Sequence, residues 1–111
     1  MYNGRDKRVT TMSAHLNLDA NKLADFCRRN KIRRLSLFGS VLRDDFRPDS
    51  DVDFLVEFEP DAHVTLLDMS RMERELAELV GREVDFRTPL ELSHHFRHKV
   101  LAEAEIQYAT G

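Results

Sequence analysis

The sequence predicts a small α/β (α+β) domain, in which a mixed β-sheet is covered by helices on one face. Strand-like apolar segments alternate along the chain with segments whose apolar residues recur every three or four positions, as in amphipathic helices. The length of 111 residues, with 41% hydrophobic and 33% charged residues, suits one globular domain. Residues 1–14 show neither pattern, so we expect a disordered arm there and the domain over residues 15–111.

The first half of the domain contains one predicted helix and two predicted strands. Asp19 is a suitable N-cap for the helix, and Asn30 is a plausible left-handed residue at its end. The first strand is expected over residues 32–38 and the second over residues 51–58. Both are rich in β-branched, aromatic and other apolar residues.

The second half begins with a helix whose two ends are both marked. Thr65 and Asp68 form a capping pattern at its start, and Gly81 follows its last turn. Between them, apolar residues follow helical spacing and predict a buried face. These residues are Leu66, Met69, Met72, Leu76, Leu79 and Val80.

A third strand, a last helix and a short final strand complete the predicted order. The third strand is expected over residues 83–87 and the final strand over residues 106–108. Thr88 as N-cap, Pro89 in the first turn and Glu91 as capping partner predict where the last helix begins. Its inward face is expected to carry Leu92, Phe96, Val100 and Ala104.

Charge and cysteine content restrict the class of protein. The net charge of −3 argues against sequence-independent binding to nucleic acid, which requires clustered cations. No apolar run approaches the roughly 20 residues of a membrane span, and the polar N-terminus does not resemble a signal peptide. The single cysteine, Cys27, suits a reducing compartment, so a cytoplasmic location is expected.

Two acidic residues lie at the start of the second predicted strand. Asp51 and Asp53 are two positions apart, so in a strand their side chains share one face. Two carboxylates held this close repel each other unless a cation lies between them, and magnesium accepts such ligands together with phosphates. The alternative is that both are solvated residues at the edge of a sheet.

Gly39 and Ser40 directly follow the first predicted strand. A turn into a helix at this point would direct backbone N–H groups and a hydroxyl toward an anion. Taken alone, the pair is an ordinary turn. Combined with Asp51 and Asp53 on the next strand, it predicts a site for a nucleotide and its metal ion.

The order of these residues resembles a known family. Gly39-Ser40, ten intervening residues and Asp51-x-Asp53 resemble the signature of the polymerase-β-like nucleotidyltransferase superfamily, and in particular its minimal nucleotidyltransferase (MNT) branch. Further positions match that branch: Arg43, Asp45, Ser50 and, on the third predicted strand, Asp85. Asp44 departs from the pattern, because members commonly have glycine there.

The resemblance implies the polymerase-β-like fold and a role for each matched residue. Asp51, Asp53 and Asp85 would be both the catalytic residues and the ligands of two magnesium ions. Nucleotide binding would involve Gly39 and Ser40 at the β- and γ-phosphates, and Arg43 at the leaving pyrophosphate. ATP is the expected substrate.

The resemblance also implies a partner. MNT proteins typically act as antitoxins that transfer AMP to a tyrosine of a HEPN-type ribonuclease toxin, so such a toxin is the expected acceptor. The chain is short for this superfamily, and little of it remains to bind a base or an acceptor. Two alternatives are a non-catalytic antitoxin that acts by contact, and a transferase acting on a small molecule or an RNA end.

Three histidines and a basic run have simpler interpretations. His94 and His98 have the i, i+4 spacing of zinc ligands, but neither a glutamate in the metalloprotease arrangement nor a third ligand accompanies them. We therefore expect solvated histidines, including His95. The basic residues between positions 28 and 34 are interpreted as a solvated face.

Overall fold

A computed structural model describes residues 18–42 and 50–110 of the chain. Three α-helices and four β-strands alternate along it. The helices are α1 (Ala20–Arg29), α2 (Leu66–Val80) and α3 (His94–Glu103). The strands are β1 (Ile32–Phe38), β2 (Val52–Phe58), β3 (Val84–Arg87) and β4 (Glu105–Ala109). Short 3-10 helices follow β1 (Gly39–Leu42) and β3 (Pro89–Glu91).

The four strands form one mixed sheet with the order β3-β2-β1-β4. The two central strands are β2 and β1. β1 is antiparallel to both β2 and β4, whereas β2 and β3 are parallel. A parallel pair requires a crossover, and α2 supplies it between β2 and β3. The predicted α/β class with a small mixed sheet is confirmed.

The main core lies between one face of the sheet and helices α1 and α2. Alternate residues of each strand point to this face, because side chains in a strand change sides at every position. From the strands and the two helices the core contains Leu35, Leu37, Val52, Phe54, Val56, Phe86, Phe26, Met72 and Leu76. This packing fixes which residues point to the opposite face.

Helix α3 covers part of that opposite face, which differs from the expectation that helices cover one face only. Its residue Val100 is buried with Phe38 and Leu55, whose neighbours in sequence point into the main core. Leu92 and Ala104 pack around this second, smaller cluster. Periodicity could not reveal the difference, because it shows that a helix has an apolar face but not which side of a sheet receives it.

The end of α1 differs from its prediction by one residue. Asp19 caps the helix as expected, with its carboxylate accepting from two backbone N–H groups. Asn30 does not adopt the left-handed conformation, which belongs to Lys31 with φ of 55°. The side-chain amide of Asn30 instead donates to the Phe26 carbonyl at 2.8 Å and accepts from Arg71 at 3.3 Å. These contacts keep Asn30 buried in an ordinary conformation.

The beginning of α3 also differs. Thr88, Pro89 and Glu91 form a 3-10 turn, and α3 begins only after Ser93, whose hydroxyl accepts from the Phe96 N–H. In α2, Thr65 and Asp68 form the predicted capping box and Gly81 is left-handed with φ of 79°, as expected. Leu66 in the first turn is exposed, although the spacing had placed it on the buried face.

Cys27 lies in the main core. Burial raises the pKa of its thiol to about 12, so the residue behaves as a small apolar side chain. Across residues 18–42 and 50–110, no helix is long and apolar enough to span a lipid bilayer.

Candidate active site

Asp53 and Asp85 lie side by side in the sheet. In the parallel ladder, Asp53 of β2 is paired with Asp85 of β3, and in the antiparallel ladder it is paired with Phe38 of β1. Both carboxylates are partly exposed, while Phe54 and Phe86, the next residues on their strands, point into the main core. We call Phe38, Asp53 and Asp85 the carboxylate row, after its two acidic members. The row crosses the sheet on the face that α3 partly covers.

Gly39 adjoins one end of the carboxylate row. Its φ of 78° is left-handed, a conformation that glycine adopts without strain. A Cβ at this position would overlap the Asp53 carboxylate, with its Cγ only 3.2 Å away. Glycine is therefore required both for the turn that starts the 3-10 helix and for the close approach of Asp53 to the backbone.

The remaining predicted site residues are placed less completely. Ser40 belongs to the 3-10 helix that starts at Gly39, so its backbone adjoins the row. Arg43 lies outside the residues that the structure describes, as do Asp44 and Asp45. Asp51 directly precedes β2 and is exposed.

The start of β2 is held beside the start of β3. The guanidinium of Arg82 donates to the Ser50 carbonyl at 2.9 Å, and the Val52 N–H donates to the Glu83 carbonyl at 2.9 Å. Both contacts join the segment before β2 to the segment before β3. They restrict the backbone on either side of Asp51, close to the other carboxylates.

Arg87 is a site residue that the sequence analysis missed. Its Nε donates to both carboxylate oxygens of Asp85, at 3.1 and 3.2 Å. The two residues are separated by two positions on β3, so their side chains share a face. The spacing of Asp85 and Arg87 is visible in the sequence, but spacing alone does not show that the two side chains pair.

The carboxylates are of the ligand type that a hard divalent cation prefers. Magnesium is usually bound by one or two carboxylates together with phosphates of the substrate, and Asp53 and Asp85 supply two from adjacent strands. One of the two carboxylates, Asp85, already pairs with the cationic side chain of Arg87 at 3.1 Å. Within the described part of the chain, no three histidine, cysteine or acidic side chains converge as a metal cluster.

A pocket of about 910 Å³ opens at the carboxylate row. Gly39, Asp53, Asp85 and Arg87 line one part of it. The rest is lined by Phe38, Leu42 and five residues of or next to α3, namely Leu92, Phe96, Lys99, Val100 and Glu103. The length of the chain predicts little surface for a base or an acceptor, whereas this pocket adjoins the carboxylates. Helical spacing predicts that Phe96 points inward, whereas its side chain is 50% exposed at this pocket.

The histidines and the basic run agree with their simpler interpretations. His94, His95 and His98 are exposed, with edge-to-face ring contacts at centroid distances of 5.9 and 6.3 Å. In the basic run, exposed side chains form surface ion pairs, for example Arg29 with Glu75 at 2.8 Å and Lys31 with Asp61 at 3.4 Å.

The chain has relatives with the same kind of domain. Two proteins of Methanocaldococcus jannaschii, both provisionally named protein adenylyltransferases, resemble it. One is 33% identical over 90 residues, which are 81% of this chain and 95% of the relative. The other is 30% identical over 74 residues, covering 66% of this chain and 72% of the relative.

Solved structures share the fold. One, provisionally described as a minimal nucleotidyltransferase, is 39% identical with a TM-score of 0.63, covering 76% of this chain and 84% of its own. A toxin–antitoxin structure with AMP-PNP is 22% identical with a TM-score of 0.67. The match covers 84% of this chain and 75% of that one. The structure of a tri-AMPylated Shewanella oneidensis HEPN toxin in complex with an MNT antitoxin has a TM-score of 0.58 at 22% identity. The match covers 81% of this chain and 69% of that one.

The match to a family model spans most of the domain. The model of the nucleotidyltransferase domain matches residues 20–107, from the first residue of α1 into β4. This range contains Gly39, Asp53 and Asp85, so the glycine turn and the carboxylate row lie within the matched region. The predicted enzyme class is confirmed: the chain belongs to the nucleotidyltransferase domain family.

Proposed function

We propose that this protein is a metal-dependent nucleotidyltransferase that acts as an antitoxin by transferring AMP from ATP to a tyrosine hydroxyl of a HEPN-type ribonuclease toxin. The observation that carries the proposal is the pairing of Asp53 with Asp85 beside the Gly39 turn, within a chain of the nucleotidyltransferase family. This arrangement would supply acidic metal ligands from two adjacent strands and, at the Gly39 turn beside them, a place for phosphates.

Related structures support the choice of substrate and partner. One fold neighbour is a toxin–antitoxin structure with AMP-PNP, a nucleotide analogue, and another contains an AMPylated HEPN toxin with its MNT antitoxin. The M. jannaschii relatives carry the provisional name of protein adenylyltransferase. These properties belong to those proteins, and their transfer to this chain is part of the proposal.

In the proposed reaction, the acceptor oxygen bonds to the α-phosphorus of ATP while the bond from that phosphorus to the bridging oxygen of pyrophosphate breaks. Gly39 and Ser40 would bind the β- and γ-phosphates through backbone N–H groups, and Arg43 would offset the charge of the departing pyrophosphate. A phenol has an unperturbed pKa near ~10, so its proton is removed more easily than that of an aliphatic hydroxyl.

We propose that Asp51, Asp53 and Asp85 together would hold two magnesium ions. Bound magnesium would offset phosphate charge and acidify the acceptor hydroxyl. Asp85 lies at the end of the carboxylate row farthest from Gly39, because β2 separates β3 from β1. An acceptor that attacks opposite the leaving pyrophosphate therefore approaches Asp85, whose carboxylate would receive the acceptor proton.

The test is incubation of the purified protein with its toxin, ATP and magnesium, followed by intact-mass spectrometry of the toxin. We expect the added mass of one or more AMP units, with loss of ribonuclease activity. Asp53→Asn should reduce the transfer rate at least tenfold, which corresponds to ~1.4 kcal/mol of activation free energy. Asp25→Asn is the matched control, because Asp25 is exposed on α1 across the sheet.

Two outcomes would contradict the proposal. If Asp53→Asn retained more than a tenth of the wild-type rate, the assignment of the metal ligands would be wrong. If the toxin mass stayed unchanged while its ribonuclease activity was suppressed, inhibition by contact would replace catalysis. Melting curves of both variants without metal should show that their fold is intact.

A further inference from the structure

The pocket at the carboxylate row is larger than that row and extends along the strands beneath α3. The next residues of β2 and β3 on the same face are Leu55 and Arg87, which are paired with each other in the sheet. Leu55 is covered by Val100 of α3. Helix α3 thus forms a wall beside the carboxylates, and the volume of about 910 Å³ is within the range of small-ligand sites.

The side of α3 that lines the pocket carries an aromatic ring followed by two charged side chains. Phe96, Lys99 and Glu103 line the pocket and are separated by three and four positions, the spacing of one helical face, and Leu92 lines it just before the helix begins. The wall therefore changes from apolar to charged along its length. Phe96 is 50% exposed and Lys99 is exposed, so both are accessible from the pocket.

The topology gives this wall a direction. Helix α3 begins after β3, at one edge of the sheet, and ends before β4, which is paired with β1 on the other side. Phe96 is consequently nearer to β3, and Lys99 is one turn closer to β1 and the Gly39 turn. The cation of the wall lies toward the place proposed for phosphates, and the aromatic ring lies away from it.

The geometry of nucleotidyl transfer indicates where the nucleoside lies. The attacking and leaving oxygens are roughly in line through the α-phosphorus, so together they occupy the direction of the carboxylate row. The ribose is bonded to the same phosphorus through a third oxygen and leaves this line at a wide angle. Along the strands, that departure leads toward Arg87 and the wall formed by α3, which both line the pocket.

We propose that α3 is the nucleoside-binding wall of this site, with the ring of Phe96 stacking on the base and Lys99 contacting the phosphates. The inference rests on the nucleotidyl transfer proposed above, because it assigns the nucleoside half of the same substrate. Stacking is tolerant of base identity, since every base has a π-face. The wall therefore binds nucleotides without strong preference for the base, and adenine and guanine nucleotides should bind similarly.

The experiment measures binding without any acceptor. Calorimetric titrations with magnesium compare AMP-PNP, GMP-PNP and tripolyphosphate, which has no base. Phe96→Ala should weaken both nucleotides about tenfold and leave tripolyphosphate unchanged, whereas Phe96→Tyr should bind like the wild type. Lys99→Met should weaken all three ligands. Leu101→Ala is the control, because Leu101 is a 43%-exposed apolar residue of the same helix outside the pocket lining.

If Phe96→Ala bound the nucleotides as tightly as the wild type, the assignment of the wall would be wrong. It would also be wrong if Phe96→Ala weakened the binding of tripolyphosphate as much as that of the nucleotides. If Phe96→Ala melted several degrees below wild type, Phe96→Leu would replace it, since leucine keeps much of the bulk without the aromatic face. Phe96-dependent binding of AMP-PNP with no modification of the toxin would overturn only the proposed acceptor. A wild-type protein that bound no nucleotide would overturn both proposals.

Discussion

Arg87 holds both oxygens of Asp85 from two positions along the same strand, so one proposed metal ligand already has a cationic partner. The pair is accessible to solvent, with side-chain exposures of 48% for Arg87 and 37% for Asp85. Exposed ion pairs contribute at most about 1 kcal/mol. A divalent cation that binds Asp85 has to compete with this modest interaction.

Replacing Arg87 should therefore strengthen metal binding by the protein without nucleotide. We expect Arg87→Met to bind Mn²⁺ up to about fivefold more tightly than the wild type, the equivalent of about 1 kcal/mol. The measurement is a Mn²⁺ titration followed by electron paramagnetic resonance. Arg74→Met is the control, because Arg74 is exposed on α2, across the sheet. Equal or weaker Mn²⁺ binding by Arg87→Met would show that the arginine does not compete.

The predictability of individual residues depended on how local their signals are. The capping box of Thr65 and Asp68 and the left-handed Gly81 involve neighbours in sequence, and the structure contains them as expected. The pairing of Asp53 with Asp85 follows from strand register, which no local pattern determines. Phe96 was placed among the core residues because helical spacing does not distinguish a core-facing side chain from one at a pocket.

Among the elements, β3 has the least support in the sheet. It is a four-residue strand at the edge and, among the described residues, β2 is its one neighbour in the sheet. The carboxylate of Glu73 on α2 accepts from the Phe86 N–H at 3.1 Å, so a side chain supplies part of what a further strand would. Because β3 carries Asp85, this contact connects the packing of α2 to the geometry of the site.

Loss of that contact should weaken the protein measurably. Glu73→Ala should lower the free energy of unfolding by about 0.5–1.5 kcal/mol, the usual contribution of one hydrogen bond. Glu73→Gln, which retains an acceptor oxygen, should lose less. Urea denaturation provides the measurement, and Glu78→Ala at an exposed position of the same helix is the control. If the alanine variants at positions 73 and 78 were equally stable, the contact to β3 would contribute nothing.

At this scale the sequence predicted the order of helices and strands but not the position of α3. Apolar periodicity identified the four strands and three helices of the described residues, and no strand end differs from its prediction by more than one residue. The last helix began later than expected because Pro89 and Glu91 form a 3-10 turn before Ser93 caps α3. Its location on the second face depends on the small cluster around Val100, whose members are far apart in sequence.

For the molecule as a whole, the three candidate carboxylates lie near the surface. Asp51 is exposed, and Asp53 and Asp85 are only partly buried. A nucleotide bound against α3 would fill much of the adjoining pocket, so the acceptor has to be presented from outside. In the proposed reaction, the surface of the folded toxin would provide that orientation.

A short peptide containing the acceptor tyrosine should therefore be a poor substrate. We expect kcat/KM for the folded toxin to exceed that for the peptide at least tenfold, since the peptide lacks a docking surface and must be ordered on binding. Initial rates of AMP incorporation, measured by mass spectrometry for both substrates, provide the comparison. Equal values would indicate that the protein recognises only the few residues around the tyrosine.

The alternation of core and site residues along β2 and β3 has one further consequence. Phe54 and Phe86 are anchored in the main core, and each is the immediate neighbour of a carboxylate of the row. A slip of β3 by one position would exchange Asp85 for an aromatic ring and leave a charge in the interior. Any such misaligned form is therefore penalised by folding itself, so molecules that fold are also molecules with correctly spaced carboxylates. The spacing of the candidate catalytic carboxylates is in this way enforced by hydrophobic packing on the other side of the sheet.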